Sequence, residues 1–178
     1  MDDYGIHKNG RLEGSGSMAV DEKSLQFEMK DKPFARILVA IDQDDSSSSI
    51  NAFQFAVTLA FRNHAKLGIV SILELEDLNV FEALSPERRN EISDTLLADV
   101  NVYVKIAKEH GVAAIEGFVA EGKPAPTIIA DIIPTFKPDV LICGSKTKHV
   151  SSRKKIFIGS QASYLAQNSP CSVLVIRK

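Results

Sequence analysis

The sequence predicts an α/β protein in which an open, five-stranded parallel sheet lies between two layers of helices. Apolar runs of strand length alternate with helical segments, and this alternation requires crossover connections between parallel strands. Most of the runs are apolar at nearly every position, as expected for strands that are buried on both faces. The 178 residues are 44% hydrophobic and 25% charged, which fits one globular domain with a sizeable core.

The first strand and the first helix are predicted within residues 35–63. The run ARILVAID is continuously apolar and ends in Asp42, which favours a fully buried strand. The polar QDDSSSS that follows supplies several helix caps. Apolar residues then recur at spacings of three and four, which predicts an amphipathic helix that ends near Asn63. This apolar stripe consists of Ile50, Phe53, Val57 and Ala60.

The second strand is predicted in LGIVSILE, residues 67–74, and a long helix follows it. Ser85 is a suitable cap for this helix, Pro86 suits its first position, and Glu87 favours its first turn. Gly111 is placed to end the helix. The apolar stripe of this helix consists of Ile92, Leu96, Val100, Tyr103, Val104 and Ala107.

The remaining elements are predicted from shorter patterns. The run VAAIEGFVAEG, residues 112–122, is less apolar than the others and indicates a third strand near an edge of the sheet. Pro124 and Pro126 are suited to open a third helix, and we expect Pro134 to end it early. DVLICGS, SQASYLAQN and SVLVIRK predict a fourth strand, a short last helix and a fifth strand. The third helix would carry Ile128, Ile129, Ile132 and Ile133.

The segments outside this pattern set expectations about location and partners. Residues 1–33 are mostly polar without a sustained period, and we expect a disordered arm that precedes a domain of residues 34–178. No apolar run reaches the roughly 20 residues that cross a bilayer, and the N-terminus lacks a signal-peptide core. The net charge of -2 gives no general attraction to nucleic acid or anionic lipid. We therefore expect a cytoplasmic protein with neither membrane nor nucleic-acid partners.

The two cysteines are expected to stay reduced. Cys143 falls at the carboxyl end of the fourth predicted strand, and Cys171 at the amino end of the fifth. If these strands are parallel neighbours, the two residues lie about four positions apart, or roughly 13 Å at 3.3 Å per residue. A disulfide needs Cα atoms within about 7 Å of each other.

A basic segment between two Gly-Ser pairs is the main candidate for an anion site. It runs through GSKTKHVSSRKKIFIGS, residues 144–160, and it follows the fourth predicted strand. In open parallel sheets, ligands bind beyond the carboxyl ends of the strands, where the strand order reverses. The residues expected there are Asp42, Gln43, Leu73, Glu74, Gly144 and Ser145. The alternative for the basic segment is a solvated loop that binds no ligand. The alternative for Asp42 is that it caps the following helix and contacts no ligand.

Three segments together resemble the universal stress protein family. They are RILVAIDQDDSSSSINAFQFAVTLA, EGKPAPTIIADI and PDVLICGS with GSQASYLAQNSPCSVLVIRK, and the resemblance covers about residues 34–178. It implies a Rossmann-like fold of the adenine-nucleotide alpha-hydrolase type with the strand order 3-2-1-4-5. It also implies a homodimer that pairs the last strands, residues 172–176. The apolar SVLVI at a sheet edge fits such pairing, which would remove an exposed edge.

The resemblance further implies an adenine-nucleotide site. Residues at the end of the first strand would contact adenine, Ile72 or Leu73 would form an apolar wall, and phosphates would lie over a loop written G-x-x-G-x9-G-[ST]. Gly144 and Gly159-Ser160 match the ends of that loop, whereas Thr147 replaces its second glycine and the loop is two residues longer. The predicted contact residues are Ala40, Ile41, Asp42, Ile72, Leu73, Cys143, Gly144, Ser145, Thr147, Lys148, Gly159, Ser160 and Gln161.

Two functions stay open on these grounds, and catalysis is disfavoured. One is a homodimeric stress sensor or regulator that binds ATP or a related adenine nucleotide, with Mg²⁺ accompanying the bound nucleotide. The other is a dimeric interaction module of the same fold that binds no ATP. The sequence lacks the G-x-x-x-x-G-K-[ST], G-x-G-x-x-G and G-x-S-x-G motifs, so we expect no enzyme beyond weak ATP hydrolysis.

Overall fold

The computed structural model describes residues 34–42, 46–74, 85–145 and 158–177. All of them belong to one compact unit, Pro33–Lys178. The predicted disordered arm, residue Gln43, and the basic residues between 146 and 157 lie outside the described residues.

The described elements alternate between strands and helices, as predicted. The strands are β1 (Arg36–Ala40), β2 (Lys66–Leu73), β3 (Ile115–Glu121), β4 (Val140–Gly144) and β5 (Ser172–Ile176). Three of the helices are continuous: α1 (Ser46–Asn63), α2 (Pro86–Glu109) and α4 (Ser160–Asn168). Helix α3 consists of three consecutive pieces, Pro124–Thr127, Ile128–Ile132 and Ile133–Phe136. All strands are parallel in the order β3-β2-β1-β4-β5, which confirms the predicted fold class and strand order.

The central strands are buried on both faces because their neighbouring side chains pack into different clusters. Ile37 and Val39 of β1 pack with α1 and α2, whereas Leu38 between them packs with α3 and α4. All three side chains are fully buried. This two-sided burial explains the continuous apolar runs in the sequence, and the half-exposed β3 and β5 form the two edges of the sheet.

Helix α1 has its predicted limits but a different buried face. Phe53, Val57 and Ala60 are buried as predicted, whereas Ile50 is 41% exposed. The prediction for Ile50 is wrong because the buried face is centred on Ala52 and Ala56, which are fully buried. These small side chains allow the helix to pack closely against the sheet, and Ile50 falls at the margin of the contact.

Helix α2 begins and ends as its local signals predict. The Ser85 hydroxyl accepts a hydrogen bond from the backbone N–H of Arg88 at 3.4 Å, and Pro86 occupies the first helical position. Gly111 has a φ of +90°, a conformation that other residues rarely adopt. Leu96, Val100 and Ala107 form the buried part of the predicted stripe.

Helix α3 continues past Pro134, contrary to our expectation of an early end. Its middle piece, Ile128–Ile132, is a π-helical turn in which the N–H of Ile133 bonds to the carbonyl of Ile128. A proline lacks an N–H and crowds the carbonyl four residues earlier, which would disrupt a regular α-helix. The π turn places Pro134 in the first turn of the next α piece, where no N–H is needed, and the helix reaches Phe136.

The cysteine prediction is confirmed. Cys143 lies opposite Val175 in the β4–β5 register, four positions beyond Cys171, and both thiols are free.

Within the described residues, no helix is long and apolar enough to cross a membrane.

Gly68 of β2 leaves room for an aromatic ring, which makes it a test of packing on the α3 face. A Cβ at this position would lie 2.9 Å from Leu38 Cδ1 and 3.0 Å from Phe136 Cζ. Gly68→Ala should therefore lower the free energy of unfolding by about 1–3 kcal/mol, measured by urea denaturation. In the Phe136→Leu background the same substitution should cost less, and an equal cost in both backgrounds would contradict this packing.

Candidate functional site

A cavity of about 580 Å³ opens at the carboxyl end of the sheet. It lies beside the ends of β1 and β4, the two neighbouring strands between which the strand order reverses. Crossover connections leave this point in opposite directions, so adjacent loops separate and create a crevice. The fold therefore forms a binding-sized space where the topology predicts one.

The inner part of the cavity is apolar. The sheet contributes Ala40, Val70 and Ile72, and helices α3 and α4 cover them from the same side. Ile128 at the start of the π turn belongs to this lining. The helix residues of the apolar wall are Pro124, Ala125, Ile128, Ala162 and Leu165.

The rim of the cavity is polar and carries two carboxylates. Asp42 follows β1 and Glu74 follows β2, and both contribute to the lining. The described part of the lining contains neither lysine nor arginine. Charge pairing with a ligand phosphate would therefore have to come from outside this part of the lining.

The structure brings most of the predicted contact residues together around the cavity. Ile72 lines it, whereas Leu73 is buried outside its lining, because neighbouring residues of a strand point to opposite faces. Ser145 is also outside the lining, and its backbone N–H donates to the carbonyl of Ile176 at 2.9 Å. Thr147 and Lys148 lie outside the described residues. The predicted residues that line the cavity are Ala40, Ile41, Asp42, Ile72, Cys143, Gly144, Gly159, Ser160 and Gln161.

Several lining residues were missed by the sequence analysis. Val70 could have been found from its alternation with Ile72, since residues two apart in a strand share a face. Ser48 and Ser49 were interpreted only as parts of a helix cap. Pro124 was interpreted only as a residue that opens a helix, and Ile128 only as one of the apolar residues of that helix. Sequence periodicity shows a buried face without showing a cavity beneath it. The missed residues are Ser48, Ser49, Val70, Pro124, Ala125, Ile128, Ile158, Ala162 and Leu165.

Gly144 is required by packing, irrespective of any ligand. A Cβ at this position would lie 2.7 Å from Ser48 Oγ and 2.8 Å from both the carbonyl carbon and oxygen of Ser48. Backbone atoms cannot move aside as the end of a flexible side chain can. The end of β4 and the first turn of α1 therefore approach each other as closely as a glycine permits.

Helices α3 and α4 are tied together at the rim by one side chain. Gln161 Oε1 accepts a hydrogen bond from the backbone N–H of Ala125 at 3.1 Å. This N–H lies in the first turn of α3, where no carbonyl within the helix is available and the Lys123 side chain makes no capping bond. Gln161 thus satisfies a donor of α3 from the first turn of α4.

The first turn of α4 borders the cavity. Gly159 is the N-cap of this helix, and Gly159, Ser160 and Gln161 all contribute to the lining. The N–H groups of a first helical turn and the positive end of the helix dipole favour negative charge. This end of the cavity is suited to an anionic group, whereas the inner end is suited to an apolar one.

Cys143 contributes a neutral thiol to the cavity wall. It lies in β4 and is buried, and this burial raises the pKa of its thiol to about 11. Desolvation disfavours the thiolate, which is the nucleophilic form. At neutral pH Cys143 acts as a small apolar wall residue.

The described residues also contain no group of three or more His, Cys, Asp or Glu that could hold a metal ion.

Comparisons with known proteins agree with this architecture. Residues 33–177 match the sequence profile of the Universal stress protein family. A Staphylococcus saprophyticus protein that carries the family's name is 30% identical over 147 residues, which are 81% of this chain and 84% of that protein.

Two solved structures with bound nucleotides share the fold. A universal stress protein in complex with cAMP has a TM-score of 0.60 at 20% identity, covering 82% of this chain and 98% of that one. A universal stress protein from Archaeoglobus fulgidus in complex with dAMP has a TM-score of 0.56 at 18% identity, covering 82% and 99%.

The environment of Cys143 predicts unequal thiol reactivity. Cys171 is only half-buried, so iodoacetamide at pH 8 should modify Cys171 well before Cys143, as followed by peptide mass spectrometry. The Cys143 rate should rise between pH 9 and 11 as its thiolate forms, with circular dichroism verifying that the fold persists. Equal rates for the two cysteines at pH 8 would contradict the described burial.

Proposed function

Because the chain belongs to the universal stress protein family, we propose that it binds ATP or a related adenine nucleotide in this cavity. We further propose that it acts as a homodimeric sensor or regulator in the cytoplasm, with no catalysis beyond weak ATP hydrolysis. The observation that carries the proposal is the cavity at the strand-order reversal, which has an apolar interior and is bordered by the first turn of α4.

The two ends of the cavity match the two ends of a nucleotide. A planar base fits the apolar interior between the sheet and α3, next to Ala40, Ile41 and Ile72. The Asp42 carboxylate at the rim is suited to accept hydrogen bonds from the nucleoside. Gly144, Gly159 and Ser160 would then lie along the phosphates. The cAMP and dAMP complexes of proteins with this fold support an adenine nucleotide as the ligand.

The segment of residues 146–157 has a defined part in this proposal. It connects β4 to α4 in the sequence, and two residues close to its ends, Gly144 and Ile158, line the cavity. Thr147, Lys148 and the neighbouring cations would supply the hydroxyl and the positive charge that the described lining lacks. Any Mg²⁺ would be held largely by phosphate oxygens and water, the ligands it usually keeps in nucleotide sites.

The alternative is an interaction module of the same fold that binds no ATP. The two carboxylates at the rim favour it, because negative charge near the cavity repels phosphates. Thr147 in place of a loop glycine favours it as well, since a β-branched residue hinders close backbone approach. In that case the dimer surface and the basic segment would carry the function.

Strand β5 is the proposed surface for dimerisation. It is the last strand of the sheet on one side, and its four apolar residues, 173–176, are all partly exposed. The Ile176 carbonyl accepts a hydrogen bond from Ser145, the residue that follows β4. By the alternation of a strand, the backbone groups of Val173 and Val175 therefore face outward. A second copy that pairs with this edge would satisfy those groups and cover the apolar side chains.

ATP affinity measured by titration calorimetry tests the nucleotide site. The native protein should release heat with ATP, and Asp42→Ala should weaken binding about tenfold or more, because a charge-assisted hydrogen bond is lost. Asp94→Ala removes a carboxylate from the exposed outer side of α2 and should bind like the native protein.

Two outcomes would oppose this proposal. Absence of heat at millimolar ATP would reject it, and so would equal weakening by Asp42→Ala and Asp94→Ala. Mass spectrometry of protein purified without added nucleotide separates the alternatives further. A stoichiometric adenine nucleotide that copurifies would leave the interaction module without support.

Proline substitutions at the two sheet edges test the dimer. Val175→Pro removes an outward N–H of β5 and should convert a dimer to a monomer in sedimentation velocity, with the fold checked by circular dichroism. Val119→Pro is the matched control, because Ala114 bonds to β2 and the backbone groups of Val119 therefore face outward from β3 at the opposite edge. A dimer that survives Val175→Pro but not Val119→Pro would place the interface at the other edge.

A further inference from the structure

A single hydroxyl in the first turn of α1 bonds to both backbone groups of Asp42. The Asp42 N–H donates to Ser49 Oγ at 2.9 Å, and the same hydroxyl donates to the Asp42 carbonyl at 3.0 Å. One hydroxyl can serve both groups because it carries one proton and two lone pairs. Ser49 is buried, and its loss would remove a hydrogen-bond partner from both backbone groups of Asp42. The end of β1 is thereby fixed to a helix that begins after it.

The same helical turn is fixed against β4 through its neighbour, Ser48. The carbonyl carbon and oxygen of Ser48 would lie 2.8 Å from a Cβ at Gly144. The turn therefore has no room to move toward β4, while Ser49 holds it to β1. These two contacts place the start of α1 between the ends of both strands at the reversal point of the sheet.

The two hydrogen bonds determine how Asp42 presents itself to the cavity. Its backbone N–H and carbonyl both bond to Ser49, so the group it adds to ligand binding is its carboxylate. The backbone angles of a residue restrict the rotamers that its side chain can adopt, and with them the directions open to a carboxylate. We infer that Ser49 is a positioning residue, which directs the Asp42 carboxylate toward the nucleoside part of the ligand. This inference rests on the proposed nucleotide site and adds a residue that acts through Asp42.

A double-mutant cycle tests whether Ser49 acts through Asp42. ATP affinity is measured for the native protein, Ser49→Ala, Asp42→Ala and the double variant. Ser49→Ala alone should weaken binding about tenfold, and in the Asp42→Ala background it should cause no further loss. A residue that merely stabilises the fold would weaken binding by the same factor in both backgrounds, and that result would overturn the inference.

Two further variants separate the hydroxyl from the general effect of the substitution. Ser49→Thr keeps the hydroxyl and should restore affinity to within about twofold of the native value. Thr58→Ala removes a hydroxyl from the exposed side of the same helix, where it bonds to the Gln54 carbonyl at 2.9 Å, and should leave affinity unchanged. Weakening by Thr58→Ala equal to that by Ser49→Ala would count against a specific role.

Amide hydrogen exchange supplies a readout that needs no nucleotide. The Asp42 amide should exchange about tenfold faster in Ser49→Ala and at the native rate in Thr58→Ala, as measured by NMR. Unchanged exchange in Ser49→Ala would overturn the inference whether or not ATP binds. If the native protein binds no ATP but the Asp42 amide responds, the proposed function fails and the attachment of Asp42 to Ser49 stands.

Discussion

The close approach of α1 to the ends of β1 and β4 is the constraint on which the site depends. Gly144 allows the backbone of Ser48 to pack directly against β4, and Ser49 bonds the same turn to Asp42 at the end of β1. This contact joins both strand ends to the same helical turn on the α1 face of the sheet. Gly144, which the family resemblance relates to phosphate binding, therefore has a packing role in this protein as well.

The chemistry of the cavity follows from the same arrangement of layers. Alternate residues of β1 and β2 face α3 and α4, so the interior wall is apolar where the helices cover the sheet. The carboxylate residues Asp42 and Glu74 line the cavity where β1 and β2 end. Helix α4 begins beside the cavity, and its first residues contribute to the lining. A ligand that is apolar at one end and anionic at the other matches this sequence of environments.

Much of the fold could be predicted from sequence because strong local signals coincide with its topology. Ser85, Pro86 and Gly111 set the limits of α2, and two-sided burial produced the continuous apolar runs. Pro134 was a misleading signal for the end of α3, because a proline indicates the loss of an α-helical bond while the π turn that accommodates it has no comparable signal. Ile50 was a misleading signal for the buried face of α1, because that face is centred on alanines, which an apolar pattern weights less than large side chains.

The site was harder to predict, since it is assembled from elements far apart in the chain. The residues that follow β1 and precede α4 were found through the order of the strands and the family resemblance. The wall from α3 was missed, because Ala125 and Ile128 look like ordinary core residues until the distance between the helix and the sheet is known. The role of Ser49 required the geometry of its two hydrogen bonds to Asp42, which no spacing in the sequence reveals.

Mapping of amide chemical shifts during an ATP titration tests the central claim most directly, because it locates the ligand as well as detecting it. The account predicts that the largest changes fall on Ile72, Ala125 and Gly159, which surround the cavity on three different elements. Amides at the opposite end of the sheet, such as those of Arg36 and Asp139, should change little. The largest changes at that opposite end, or none anywhere at millimolar ATP, would contradict the claim.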